Sequence, residues 1–277
     1  MTPNNPELEA QALSTAIHEF QQANQDIQTY ALVYGVAFPP LYRELRQWLG
    51  QDISNQRLSL IFDAQSEDGR SQYGPYLVRI ARGAEKPSKL LTRLAHACVD
   101  DYRGVSFLFS RLPTDDLICG LSERLDALCE DGSEWQMKFF DTRSLAVLDR
   151  ALSAEQRRAY LGLAKQWWYL DRYGETQKLI LADETEDSYC GPLRLSEQQT
   201  EVFVDASLPD SVLHSLQLSD DDLLAEFDAQ TRYRVCEGIV AQATTEELLS
   251  HMLLTNRVGS ALLAAHKQEE QEEPKSC

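Results

Sequence analysis

The sequence contains no long apolar run. Its longest apolar stretches, such as SFLFS and KLILA, fall far short of the roughly 20 residues that a membrane-spanning helix requires. The first ten residues, MTPNNPELEA, have neither a basic start nor an apolar segment, which is not the pattern of a secretory signal. The sequence therefore predicts a cytoplasmic protein that does not cross a membrane.

Cysteine and histidine are few and scattered, and no pair of cysteines has the C-x-x-C spacing of a zinc or redox site. In a reducing compartment we expect most of the cysteines to be small buried apolar residues. No glycine-rich phosphate loop and no G-x-S-x-G nucleophile motif occurs either. We expect no metal, no cofactor and no catalytic residue, and so no enzyme.

Basic residues are scarce, since 26 Lys and Arg stand against 44 Asp and Glu, a formal net charge of −18. Residues 1–170 contain 18 basic and 22 acidic residues, whereas residues 171–277 contain 8 and 22, a net charge of −14. Such a chain repels phosphate backbones, which excludes nucleic acid as a partner. The acidity fits either a basic protein partner or solubility alone.

The hydrophobic pattern predicts two lobes and a tail. Strand-like and helix-like segments alternate over residues 1–170, which predicts a mixed α/β lobe (α+β) whose central sheet is flanked by helices. Residues 171–265 predict an acidic lobe that is all α apart from a lone strand in TQKLILADE, and residues 266–277 predict a disordered acidic tail. Two of the predicted helices, PTDDLICGLSERLDALCED and SAEQRRAYLGLAKQWWYL, begin at caps Thr114 and Ser153.

The stretch MKFFDTRSL poses the question of whether Asp141 is reactive. Because no nucleophile or metal ligand lies at local spacing, we predict that Asp141 caps the following helix and that Arg143 forks onto a carboxylate or carbonyls between elements, or contacts a partner. The alternative is an unrecognised hydrolase that assembles Asp141 with the distant His96 and Asp63.

Three consecutive aromatic residues, Trp167, Trp168 and Tyr169, form the boldest candidate for a binding site. On the predicted helix they point about 100° apart, so that at least one of them must meet the second lobe or a partner.

Apolar residues of the acidic lobe form a second candidate site. Helical spacing relates Leu223, Leu224, Phe227 and Tyr233, and also a second set, Leu248, Leu249, Met252 and Leu253. Most must pack on each other, but a remaining groove with an acidic rim would accept an amphipathic or transmembrane-type helix of a partner.

Four segments in order resemble one known family. They are YALVYGVAFPPLYRELRQW, YGPYLVRI, SFLFSRLPTDDLICGLSERLDAL and MKFFDTRSL, within about residues 29–170. They are similar to the type VI secretion effector adaptor (Tap/Tec chaperone) family. The last segment departs from the family pattern, because Thr142 stands where the family usually has Pro.

The resemblance implies a non-enzymatic cytoplasmic adaptor that binds a secreted toxin effector and loads it onto the spike tip protein of the type VI system. In this interpretation the α/β lobe is the common scaffold and the acidic lobe recognises the effector; a monomer is favoured. An immunity protein that neutralises a toxin is the other alternative.

Overall fold

A computed structural model describes residues 5–49, 58–61, 73–181 and 186–272, with side chains described as far as Lys267. The helices are α1 Pro6–Ala23, α2 Pro39–Leu49, α3 Lys89–Asp100, α4 Thr114–Glu123, α5 Thr142–Ala151, α6 Ala154–Leu161, α7 Glu197–Ser219, α8 Asp221–Ala225, α9 Ala229–Ala241, α10 Thr245–Leu248 and α11 His251–Glu272. The strands are β1 Gln28–Tyr34, β2 Leu58–Leu60, β3 Pro75–Ile80, β4 Val105–Ser110, β5 Asp126–Cys129, β6 Glu134–Gln136, β7 Gln166–Leu170, β8 Thr176–Ile180 and β9 Leu193–Leu195.

Six strands form an antiparallel sheet in the order β2-β3-β1-β4-β7-β8. Strand β1 is hydrogen-bonded on both sides, with Leu32 opposite Leu77 of β3 and Ser106 of β4. Its five inner residues, Thr29 to Val33, are all buried, which is typical of a strand covered on both faces. The mixed α/β class predicted for this part of the chain is confirmed.

One face of the sheet packs on α1, α2 and α3. Alternate strand residues such as Val33 and Phe107 enter this core, together with Ile17 of α1 and Leu94 of α3. Local signals explain the helices: Asn5 and Ser88 accept backbone N–H bonds at the starts of α1 and α3, and two prolines open α2.

The opposite face of the sheet meets other elements. The Tyr30 hydroxyl lies 3.0 Å from the Thr114 hydroxyl at the start of α4, and Phe139 packs edge-on against Trp167. Thr114 was predicted to cap α4, but its side chain makes no cap bond and Pro113 occupies the cap position. Ser153 caps α6, as predicted, and its cap is part of a reciprocal box with Gln156.

A second sheet has the order β6-β5-β9, with β5 and β9 parallel. The helix predicted through residue 131 is therefore wrong beyond Glu123, because residues Asp126–Cys129 pair with strands on both sides. Hydrogen bonds to neighbouring strands stabilise the extended conformation here, although the local sequence has helical spacing.

Two compact units divide between Thr200 and Glu201, inside α7, rather than at the predicted boundary after residue 170. Strand β8, predicted as a lone strand of the second lobe, pairs with β7 along its whole length. Strand β9 likewise pairs with β5. Strands β8 and β9, which follow residue 170, thus complete the two sheets of the first unit.

The second unit is helical and has its own core, as predicted. The segments SDDDLLAEFDAQTRYRVCEGIVAQA and TTEELLSHMLLTNRVGSALLAA each have a helical pattern, but each is broken in two: Asp228 caps α9 after the short α8, and Ser250 separates α10 from α11. Residues 266–272, predicted as disordered tail, lie in α11, and residues 273–277 lie outside the described part of the chain.

A buried guanidinium joins the segment before β9 to α4 and α6. Arg124 is 1% exposed, and all five of its N–H donors are engaged. Nε donates to the Tyr160 carbonyl at 2.6 Å, and Nη1 and Nη2 donate to the Gly120 and Ala159 carbonyls at 2.7 and 3.0 Å. Both terminal nitrogens also donate to the Asp187 carboxylate at 2.6 Å.

Neighbouring residues pack closely around the Arg124 guanidinium. The Tyr189 ring lies over the guanidinium with its centroid 4.3 Å from the Arg124 Cζ, and the Tyr160 hydroxyl donates to the Arg124 carbonyl at 2.6 Å. A Cβ on Gly120 would stand 2.4 Å from the Asp187 Oδ2, so only glycine allows the carboxylate this close.

We predict that Arg124→Met lowers the free energy of unfolding of the first unit by about 3–5 kcal/mol, since it leaves Asp187 and three carbonyls buried without their donor. Urea titration followed by tryptophan fluorescence measures this, because all four tryptophans precede residue 170. The control is Arg103→Met, which breaks the more exposed pair with Asp101 and is expected to cost about 0–1 kcal/mol. Equal losses in the two variants would contradict the prediction.

Candidate partner-binding surface

Asp141 begins helix α5 as a capping residue, as predicted. It is 3% exposed, and its Oδ1 accepts the backbone N–H of Arg143 at 3.0 Å. Thr142 anchors the same turn: its backbone N–H donates to the Arg103 carbonyl at 3.2 Å and its hydroxyl to the Tyr102 carbonyl at 2.7 Å. A proline at position 142 has no N–H and no hydroxyl, so threonine replaces the rigid ring with two hydrogen bonds.

The Arg143 side chain forms an ion pair with Asp141, the residue that caps its helix. Its Nε and Nη2 donate to the two Asp141 oxygens at 2.9 and 2.6 Å. A two-pronged hydrogen bond from Arg143 to a carboxylate was predicted and is present. The carboxylate, however, belongs to the residue two positions earlier and not to another element. The Asp141 carboxylate is therefore occupied by a backbone amide and a guanidinium.

The residues proposed for a hydrolase are engaged separately. His96 of α3 is partly buried, with Nε2 at 3.7 Å from Glu7 Oε1 in α1, while Asp141 is held by Arg143. Asp63 lies outside the described residues. Among the residues that the structure describes, no three His, Cys, Asp or Glu side chains converge as metal ligands.

The aromatic trio lies on strand β7, so the predicted helix is wrong beyond Leu161. On a strand, Trp167 and Trp168 point to opposite faces, and both faces are covered. The Trp167 Nε1 donates to the Ser106 hydroxyl at 2.9 Å, and the Trp168 ring packs against Phe20 and Phe109. All three side chains are buried within the first unit, which removes the argument that one of them must reach a partner.

Three of the four apolar candidates between the start of α8 and α9 are core residues. Leu223, Leu224 and Phe227 are buried in the core of the second unit, together with Val212, Leu216, Cys236, Leu254, Val258 and Leu262. Tyr233 is half-buried, and its hydroxyl lies 3.5 Å from Glu237 Oε1.

The second predicted set, Leu248, Leu249, Met252 and Leu253, was expected mostly to pack in a core, but all four side chains are exposed. We define the leucine patch as Leu218, Leu248, Leu249, Met252 and Leu253. Leu249 is 85% exposed, Leu218 77% and Met252 69%, and the other two are also classed as exposed. The Ser215 hydroxyl lies 2.7 Å from His251 Nε2, which places the end of α7, and with it Leu218, beside the start of α11.

The geometry of α11 explains this exposure. Its buried stripe consists of Leu254, Val258 and Leu262, which are four residues apart and lie on one helical face. Met252 precedes that stripe by two residues, about 200° around the helix, and points away from the core. Leu248, Leu249, Met252 and Leu253 lie within six residues of the chain, and a group of exposed apolar side chains is typical of a protein interaction site.

The surroundings of the patch are acidic. Residues 201–277 contain 5 Lys and Arg and 15 Asp and Glu, a net charge of −10. Asp220, Asp221 and Asp222 begin two residues after Leu218 and are exposed, and the exposed Glu246 lies two residues before Leu248. One rim carboxylate is neutralised, because Arg257 Nη1 donates to Glu247 Oε2 at 2.7 Å. The surface thus combines an apolar centre with a negative rim.

Comparison with known proteins gives one match. Residues 29–159 match the family model described as a domain of unknown function, DUF4123. A search of the curated proteins and a search of the solved structures each return no match. No helix among the described residues has both the length and the apolar character needed to cross a membrane.

We predict that Asp141→Ala lowers the free energy of unfolding by about 2 kcal/mol, because the α5 cap and the partner of Arg143 are lost together. Asp141→Asn keeps a capping side chain and should cost less than half as much. Urea titration of both variants measures the difference. Wild-type stability in Asp141→Ala would contradict the structural role of this carboxylate.

Proposed function

We propose that this protein is a non-enzymatic cytoplasmic adaptor that binds a toxin effector of a type VI secretion system and promotes its loading onto the spike tip protein. The observation that carries the proposal is the leucine patch, since an exposed apolar surface on an acidic unit suits reversible protein binding. The DUF4123 match, together with the resemblance of residues 29–170 to the effector adaptor family, supports the choice of partner.

The patch would bind the effector through the side chains that water now surrounds. Full burial of one leucine or methionine side chain contributes roughly 1.5–3 kcal/mol, so a few of them supply most of the affinity of a transient complex. The negative rim would favour an apolar helix flanked by basic residues and would speed its approach. Such contacts form and break without covalent chemistry, as release at the spike requires.

The first unit would act as the scaffold in this proposal. The family match runs from β1 to Ala159 in α6 and stops before the second unit begins. A common first unit with a variable helical unit would allow related adaptors to recognise different effectors.

The experiment is capture with the tagged full-length chain in the bacterium that encodes it, followed by mass spectrometry. We expect the wild-type chain to retain a type VI toxin, and we expect the Leu249→Ser/Met252→Ser variant to retain at least about tenfold less of it. The matched control is Leu8→Ser/Ile180→Ser, which removes two comparably exposed apolar side chains from the first unit.

All four substituted side chains are exposed, so each substitution should change the free energy of unfolding by no more than about 0.5 kcal/mol. Equal toxin retention by the two variants would reject the leucine patch as the binding surface. Deletion of the gene separates the adaptor from the immunity protein: lost toxin secretion in otherwise healthy cells supports the adaptor, and self-poisoning with normal secretion supports immunity.

A further inference from the structure

Helix α10 presents two residues of the leucine patch but has no side chain in the core. Leu248 ends this helix and Leu249 follows it, and none of the helix residues is buried. No residue from 237 to 253 is buried, and the buried core of the second unit resumes at Leu254. A single helical turn is not stable in water on its own. Apolar packing therefore does not account for the position of α10.

The Glu247 carboxylate holds α10 through two kinds of contact. Within the helix, its Oε2 accepts the backbone N–H of Thr244 at 2.8 Å, and Thr244 Oγ1 accepts the N–H of Glu247 at 3.3 Å. This reciprocal capping box closes the turn. Outside the helix, the same Oε2 accepts a hydrogen bond from Arg257 Nη1 of α11 at 2.7 Å. Among the described residues, no other side-chain hydrogen bond or ion pair joins α10 to another helix.

The place of Arg257 on α11 decides where the ion pair holds α10. Arg257 follows Leu253 of the leucine patch by four residues, so the two side chains lie on one face of α11. Helices α10 and α11 are in contact. The pair with Glu247 therefore keeps α10, which ends at Leu248, on the side of α11 that carries Leu253. Patch residues from two helices are brought together in this way.

The ion pair is formed at neutral pH and is partly exposed. The Thr244 N–H and, to a smaller extent, Arg257 lower the pKa of Glu247 below its ordinary value, so the carboxyl is charged throughout the neutral range. The side chain of Glu247 is 22% exposed and that of Arg257 34%. A pair of this exposure adds little to the stability of a well-packed domain. Its effect on α10 is larger, because α10 has no packed side chain that could replace it.

We propose that Glu247 and Arg257 are positioning residues of the leucine patch, whose ion pair holds α10 in the conformation that binds the partner. This inference rests on the proposed function, since it takes the patch to be the effector surface. A surface that is already ordered loses less conformational entropy when its partner binds, and so binds more tightly. Breaking the pair leaves the core of the second unit intact and lets α10 move. Binding should therefore weaken while global stability changes little.

The first arm of the test measures the mobility of α10 in the free full-length chain by NMR relaxation. Glu247→Gln keeps an oxygen for the capping box but loses the charge, and Arg257→Gln removes the partner of that charge. In both variants we expect the backbone order parameters of Leu248 and Leu249 to fall from about 0.85 to below about 0.6. The order parameter of the core residue Leu254 should keep its wild-type value.

The second arm measures toxin capture by the tagged variants. Glu247→Gln and Arg257→Gln should each retain about fivefold less toxin than the wild type, and the double variant should lose no more than either alone. Arg257→Lys keeps the positive charge and should retain at least about half of the wild-type amount. The matched control is Arg157→Gln, which breaks a similarly exposed ion pair with Asp149 in the first unit and should leave capture unchanged.

Three results would overturn the inference. One is that Leu248 and Leu249 keep wild-type order parameters in both single variants. Another is that these residues become mobile and toxin capture stays at the wild-type level. The last is that Leu254 loses order to the same extent, which would make the pair a general contact of the second unit. If the wild-type chain itself captures no toxin, the proposed function fails, whereas lost order at Leu248 still supports the ion pair as the contact that positions α10.

Discussion

The first unit depends on one buried cation. Arg124 ends helix α4, and its guanidinium holds the last turn of α6 through two carbonyls and the segment before β9 through Asp187. That segment then adds β9 to β5, and Gln199 fixes the first turn of α7 by donating to the Ala151 carbonyl at 2.9 Å. A buried charge is tolerated only when each of its donors has an acceptor. The acceptors of Arg124 therefore fix the path of the chain between the large sheet and β9.

Helix starts were the most predictable features, because capping depends on neighbours in sequence. Asp141 and Ser153 were identified as caps from sequence, whereas the predicted cap Thr114 makes no cap bond. Strand β7 was missed, because QWWYL follows a helical pattern and its strand conformation depends on pairing with β4 and β8. One usable signal was present: Gly174, with φ 76°, lies in a turn where Asp171 accepts the N–H groups of Tyr173 and Glu175, which marks a hairpin.

The candidate surface was harder to predict than the fold. Leu223 and Leu249 have the same chemistry and similar acidic neighbours, yet the first is core and the second is 85% exposed. Sequence spacing supplies a periodic apolar face, but which face finds a neighbour is decided by how α7, α9 and α11 pack.

In this account the first unit is a scaffold and the leucine patch binds a partner, while Asp141 and the aromatic trio stabilise the fold. Hydrogen–deuterium exchange of the purified chain with its captured effector, against the chain alone, tests this most directly. The account predicts slower exchange in residues 245–255 and at the end of α7, where the bound effector would stabilise the backbone. Protection confined to residues 29–159, with exchange around Leu249 unchanged, would contradict it.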